Sequence, residues 1–185
     1  MNCATNAMVL QLKQVSSLVL GMCIHASATQ NGNYVPNTKS IVFPTDFAAG
    51  HQEVFRHEVF HAYQDNVAYP GGTANYGSGD PGFVNIEFEQ AVFKDIMNGY
   101  ASALDASSNT LIKNLYSNWI ISLTQGGTVY PNITTISDFE TKYFEYLNEF
   151  NTSNTAYGGG TILSNLKPEA LKAIFSGLTK DNCGM

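Results

Sequence analysis

Apolar residues recur along most of the chain at the three- and four-residue spacing of amphipathic helices, with Gly- and Asn-rich stretches between the periodic segments. A capping box from Ser137 to Glu140 marks one helix start, because its two side chains can satisfy exposed backbone N–H groups. Pro168 opens and Gly177 closes the last helix. Besides an N-terminal helical stretch, the pattern predicts helices at about residues 51–65, 83–100, 107–123, 137–150 and 168–177.

One short apolar run, Ser40–Phe43, stands before Pro44 and is typical of a strand, and a weaker strand signal lies near Val129. No internal repeat and no domain-scale linker divides the chain. We therefore expect a mostly α (α+β) fold with a short edge strand or small sheet before helix 51–65. It forms a single domain over residues 1–185, with an N-terminal helical segment (1–35), a core (40–100) and a C-terminal helical part (101–185).

The amino-acid composition indicates a protein with a buried core and argues against nucleic-acid binding. Of the 185 residues, 44% are hydrophobic, 12% aromatic and only 13% charged, which is ample material for a buried core. Arg56 is the single arginine, the lysines are scattered and the net charge is -6, so the chain offers no basic stripe for a phosphate backbone. No apolar run has the length of about 18 residues that a transmembrane helix needs. We expect neither a nucleic-acid partner nor a membrane span.

The N-terminal part bears on the cellular compartment. Residues 15–28 loosely resemble a signal peptide, with an apolar centre and small residues at its end, but we interpret them as an amphipathic or buried helix. Cys3, Cys23 and Cys183 fit either one disulfide and a free thiol or three free thiols. The abundance of Asn, Ser, Thr, Gly and Tyr slightly favours a secreted or cell-envelope protein over a cytoplasmic one.

The candidate chemistry lies in the predicted helix 51–65, where His57, Glu58 and His61 form the pattern H-E-x-x-H. Residues four apart lie on the same face of a helix, so the two imidazoles can converge on one metal ion. Zn²⁺ is the metal that two such histidines favour. Glu58 adjoins the first histidine and can take a proton from metal-activated water without being a ligand itself.

A zinc site needs a third protein ligand, and no histidine follows His61, so either this ligand is a carboxylate or the site is incomplete. The next predicted helix offers Glu87 and Glu89, which lie about 200° apart on a helix, so only one can face inward. Glu89 shares its face with Phe93 and other apolar residues, which favours Glu89, with Glu87 as the alternative.

At these residues the chain resembles the gluzincin branch of zinc metallopeptidases, over about residues 40–100. The string H-A-Y-Q at residues 61–64, with Glu87 and Glu89 near the start of the next helix, is similar to small bacterial proteins of this type. The resemblance implies a zincin-like helical domain that hydrolyses peptide bonds. It implies Zn²⁺ bound by His57, His61 and Glu89, and Glu58 as the general base. It also implies that Ser40–Phe43 is an edge strand that binds the substrate backbone.

The chain departs from the related patterns in several places. Gln64 and Val67 stand where the extended metzincin motif has its glycine and third histidine, which excludes a metzincin. Phe93 stands where thermolysin-like enzymes have an aspartate that orients a histidine ligand, so Asp65 or Asp95 is expected to orient a histidine instead. The oxyanion donor is expected to be a tyrosine. Tyr157, next to three glycines, is the first candidate, and Tyr69 and Tyr76 are alternatives.

The sequence thus predicts a zinc-dependent peptidase acting on a peptide or protein substrate. Metal-activated water attacks the carbonyl, and Glu58 passes the proton to the leaving amine. The alternative from another class is a catalytically inactive zincin-fold binding module, which keeps the zinc site for structure or partner recognition. The oligomeric state has no signature in the sequence.

Overall fold

The computed structural model describes residues 3–14, 20–24, 32–45, 52–176 and 178. The protein is mostly helical with one small three-stranded sheet, which confirms the predicted α+β class. The chain divides into two compact units, Met1–Asn75 and Tyr76–Met185. Over the described residues, every helix is too short or too polar to cross a bilayer.

The first unit combines two helices with the sheet. The H-E-x-x-H helix runs directly into a π-helical turn, a rare form that is frequent at functional sites. The elements of this unit are α1 (Cys3–Gln14), β1 (Gly21–Ile24), β2 (Asn33–Val35), β3 (Ser40–Phe43), α2 (Gln52–Tyr63) and the π-helical turn (Gln64–Ala68).

The strand predicted at Ser40–Phe43 forms with the expected bounds, but it is the central strand of the sheet. β1 pairs with it in parallel and β2 pairs with it antiparallel. The prediction of an edge strand is therefore wrong. The prediction of a helix over residues 15–28 is also wrong at Gly21–Ile24, because backbone pairing with β3 outweighs local helical spacing there. Residues 15–19 and 25–28 lie outside the described residues.

Packing around α2 fixes where its motif lies. α1 packs against α2 and the π-helical turn, and β2 and β3 pack against α2 as well. The buried face of α2 carries Val59, Phe60, Ala62 and Tyr63, and the Tyr63 hydroxyl donates to Gln11 Oε1 on α1. α2 is therefore held from two sides within its own unit.

An apolar cavity of about 280 Å³ lies in this unit, between α1, the sheet and α2. Phe55 and Val59 contribute to it from α2, each two residues from His57 and so about 200° around the helix from that histidine. The cavity therefore lies on the opposite side of α2 from the motif histidines.

The second unit is helical, and its elements match the predicted helices closely. Asn109 caps one helix by accepting the Ile112 N–H, and Gly99 ends another in the left-handed conformation. A Cβ at Gly99 would lie 2.5 Å from the Gly127 backbone, so glycine is required there. The helices are α3 (Phe83–Asn98), α4 (Thr110–Thr124), α5 (Phe139–Ser153) and α6 (Glu169–Ile174).

Aromatic side chains fill the core of the second unit. The Phe88 ring of α3 lies 5.0 Å from the Tyr143 ring and 5.2 Å from the Phe150 ring, both on α5. Trp119 of α4 lies 5.2 Å from Tyr146 of α5. Contacts at these distances add to the free energy gained by burying apolar area. The aromatic residues of α5 therefore lie on the face that packs against α3 and α4.

Two local predictions in this unit are wrong. The capping box from Ser137 to Glu140 does not form: the N-cap of α5 is Asp138, without a side-chain cap bond, and Glu140 forms ion pairs with Lys167 and Lys172 instead. No strand forms near Val129, whose N–H donates to the Thr124 carbonyl in the turn that follows α4. α6 begins after Pro168 as predicted, and Gly177 lies outside the described residues.

Candidate metal centre

Helix α2 brings the two motif histidines together. His57 Nε2 and His61 Nε2 lie 2.9 Å apart, and the two rings meet edge to face with centroids 4.5 Å apart. Both rings are half-buried. The four-residue spacing thus produces the convergence that the sequence predicted.

The orientation of His61 is fixed by Gln64, which the sequence analysis had considered only as a departure from another motif. Gln64 Oε1 lies 2.8 Å from His61 Nδ1, and Gln64 is fully buried at the start of the π-helical turn. An amide oxygen only accepts hydrogen bonds, so Nδ1 carries the proton. In the neutral ring, the lone pair of Nε2 then points towards His57. A metal ligand needs such a free lone pair.

Glu58 is buried, with 5% of its surface exposed, and its Oε2 accepts the backbone N–H of Tyr34 at 2.6 Å. Tyr34 is the middle residue of β2, an outer strand of the sheet. Its N–H therefore points away from β3 and towards α2. A carboxylate that accepts a backbone N–H at this distance is held in one position.

Asp65 lies in the π-helical turn and is almost fully buried. Burial raises the pKa of this carboxyl, but hydrogen bonds from Lys39, Tyr34 and Thr73 outweigh burial and hold the pKa below its usual range. The Tyr34 hydroxyl donates to Asp65 Oδ2 at 2.6 Å, and the pKa of Tyr34 is raised by burial and by this bond.

Asp65 and Asp95 do not have the histidine-orienting role that the sequence analysis expected, as far as the described residues show. Asp65 accepts hydrogen bonds from the Tyr34 hydroxyl on β2 and from Lys39, which precedes β3. Asp95 accepts the N–H groups of Ser102 and Ala103 and the Tyr116 hydroxyl within the second unit. In both cases nearby backbone and hydroxyl donors satisfy the carboxylate, and Gln64 contacts His61 instead.

Both candidate third ligands are buried on α3. Glu89 is fully buried, and its Oε1 accepts the Leu171 N–H at 3.0 Å, so it is engaged with the start of α6 inside the second unit. Glu87 is 9% exposed. It lies about 200° around α3 from Glu89. The expectation that Glu89 lies on the apolar face is therefore met, and its role as a ligand stays a prediction.

The candidate oxyanion donors are spread over both units. Tyr157 is 37% exposed, and its ring stacks on Phe150 and packs against Phe83 in the second unit. Tyr69 is buried just after the π-helical turn, and Tyr76 is half-buried. A catalytic role for Tyr157 stays a prediction.

Cys23 on β1 is exposed and has a free thiol. The side chains of Cys3 and Cys183 lie outside the described residues, as does His51.

Comparison of the chain with protein-family models, with curated proteins and with solved structures gives no match.

Proposed function

We propose that this protein is a zinc-dependent peptidase in which His57 and His61 are metal ligands and Glu58 is the general base. The observation that carries the proposal is the pair of histidine Nε2 atoms 2.9 Å apart on α2, with the His61 ring oriented by Gln64. A tetrahedral zinc about 2.0–2.1 Å from each nitrogen would separate the two atoms by about 3.3 Å. Small ring movements therefore suffice to fit the metal.

We propose Glu87 as the third ligand. Glu89, the residue that helical periodicity favours, already accepts the Leu171 N–H inside the second unit. Moving Glu89 to a metal would leave that buried N–H without its partner, which costs about 1–3 kcal/mol.

The chemistry then divides between the metal and the chain. Zinc, when bound, would polarise the substrate carbonyl and lower the pKa of water. Glu58 would take a proton from the attacking water and deliver it to the leaving amine. The bond from Tyr34 N–H to Oε2 would hold Glu58 in position for that first transfer. The substrate would be a peptide or protein whose scissile carbonyl lies next to Glu58.

A second function is favoured by one observation: Glu58 is buried and accepts a 2.6 Å backbone bond, as a purely structural link between β2 and α2 would. On this interpretation the protein is a binding module that holds zinc without turnover. Both functions share the metal, so metal analysis alone does not separate them.

The test uses the full chain stripped of metal by a chelator and reloaded with Zn²⁺, with zinc content and cleavage of a mixed peptide library as readouts. Glu58→Gln should retain about one zinc and lose cleavage by a factor of at least about 10³. Glu53→Gln is the matched control, because Glu53 lies on the same helix, is exposed and pairs with Arg56. It should cleave as the wild type does.

The ligand assignment is tested in the same assay. Glu87→Gln should weaken zinc binding much more than Glu89→Gln, whose main effect should be on stability through the lost bond to Leu171. Cleavage that persists in Glu58→Gln would refute the mechanism. Zinc bound at full affinity by a His57→Ala, His61→Ala double variant would refute the site.

A further inference from the structure

Tyr34 donates two hydrogen bonds, one from its backbone N–H and one from its side-chain hydroxyl. Its backbone N–H donates to Glu58 Oε2 at 2.6 Å, and its hydroxyl donates to Asp65 Oδ2 at 2.6 Å. The Asn66 side chain donates to the same hydroxyl at 2.8 Å and to the Ala62 carbonyl on α2. The short strand β2 is thereby tied to the motif helix at Glu58 and to the π-helical turn at Asp65.

Asp65 is itself firmly held. Lys39 Nζ lies 2.5 Å from Oδ2, and the Thr73 N–H donates to Oδ1 at 2.6 Å. Gly72, at a φ of +76°, passes so close that a Cβ there would lie 2.5 Å from Asp65 Oδ1. Asp65 thus joins three separate pieces of chain: β2, the turn before β3 and the loop after the π-helical turn.

We infer that Asp65 is a positioning residue for the general base: through the Tyr34 hydroxyl it fixes β2, and through the Tyr34 N–H it fixes the carboxylate of Glu58. This inference rests on the proposed function, since it assigns a purpose to Glu58. β2 has only three residues, so its pairing with β3 alone is a weak anchor for a reacting group. A catalytic carboxylate has to be held within about 0.5 Å, and a 1 Å displacement can lower a rate by about 10².

The test compares two variants of this linkage, Tyr34→Phe and Asp65→Asn, with two matched controls in the second unit, Tyr116→Phe and Asp95→Asn. The controls are apt because the Tyr116 hydroxyl donates to buried Asp95 at 2.8 Å, a pair of the same type without a connection to Glu58 among the described contacts. Three quantities are measured on each full-length variant: hydrogen exchange of the Tyr34 amide by NMR, zinc content, and kcat and KM for a cleaved peptide.

We expect Tyr34→Phe and Asp65→Asn to speed exchange of the residue-34 amide by about tenfold or more, because hydrogen bonds to charged groups are among the stronger ones. Zinc content should stay as in the wild type. The kcat should fall by about 10-fold to 100-fold with little change in KM. The controls should leave kcat and the residue-34 amide unchanged while lowering thermal stability.

Unchanged exchange of the residue-34 amide in both test variants would overturn the inference, and so would an equal loss of kcat in the controls. Tyr34→Phe removes a single oxygen and decides the matter if Asp65→Asn does not fold. If the wild type has no turnover, the peptidase proposal fails, whereas amide exchange still decides whether Asp65 fixes Glu58 through Tyr34.

Discussion

At the scale of single residues, the neutral partner of His61 is the most consequential detail. Gln64 fixes the proton on Nδ1 as a carboxylate would, but without a negative charge next to the ring. A carboxylate in that position raises the basicity of the ligand nitrogen, so an amide gives the same orientation with weaker donation. For the proposed zinc site we therefore expect an affinity below that of a carboxylate-supported site.

We expect Gln64→Leu to weaken zinc binding by about 10-fold to 100-fold, because His61 loses the partner that fixes its tautomer. Competition with a zinc-binding dye measures the change. Gln11→Leu is the control: Gln11 also accepts a hydrogen bond in this unit, from the Tyr63 hydroxyl, and among the described contacts it does not touch either histidine. Equal affinities for the two variants would show that Gln64 does not orient the ligand.

At the scale of elements, α3 is joined to the chain before α6 by one side chain. Asn85 Nδ2 donates to the carbonyls of Leu163 and Leu166 at 3.0 and 3.2 Å, and its Oδ1 accepts the Leu163 N–H at 3.1 Å. Asn85 is 2% exposed. A single side-chain amide thus bonds three backbone groups that lie outside the helices and strands. These bonds fix the position of the chain just before α6.

Asn85→Leu should lower the free energy of unfolding by about 2–4 kcal/mol, because it leaves those backbone groups without a side-chain partner in a buried place. Urea unfolding, followed by circular dichroism, measures the loss. Asn148→Leu serves as the comparison, since Asn148 is exposed on α5 and bonds only the carbonyl one turn earlier. A loss no larger than that of Asn148→Leu, expected within about 0.5 kcal/mol, would contradict this role.

The strands also show which features a local sequence pattern specifies and which depend on residues far away in the chain. The strand Ser40–Phe43 was predicted to the residue from its β-branched run and the following proline, and its existence is confirmed. Its place in the sheet depends on Gly21–Ile24, whose own pattern favours helix. Strand pairing is a long-range interaction, so a local pattern specifies that a strand forms but not which segment it pairs with.

At the scale of the whole molecule, two buried aspartates have opposite effects on how the free energy of unfolding changes with pH. The pKa of Asp95 is raised by burial, against the opposing effect of bonds from Ser102, Ala103 and Tyr116. The pKa of Asp65 is lowered, as bonds from Lys39, Tyr34 and Thr73 outweigh burial. A lowered pKa contributes stability above the unfolded-state pKa of about 3.9, and this contribution is lost as the pH falls through the folded-state pKa.

We therefore expect the stability advantage of the wild type over Asp65→Asn to be full above about pH 5 and to shrink as the pH falls below about 4. For Asp95 the sign reverses, because the unfolded state loses its proton first as the pH rises. The wild type should lose stability relative to Asp95→Asn as the pH rises above about 4. Urea unfolding from pH 3 to 7 measures both differences, and parallel pH profiles for the two pairs would contradict the assignment.

The sequence alone determined the helices, because their spacing of apolar residues is local, and it determined the convergence of His57 and His61, because four residues make one helical turn. Only the tertiary structure decided what holds those groups. Gln64 reaches His61 through a π-helical turn that no spacing rule indicates. Glu58 is fixed by a backbone N–H from β2, 24 positions earlier in the chain. Backbone donors are present at nearly every residue, so a sequence does not mark which of them folding brings to a carboxylate.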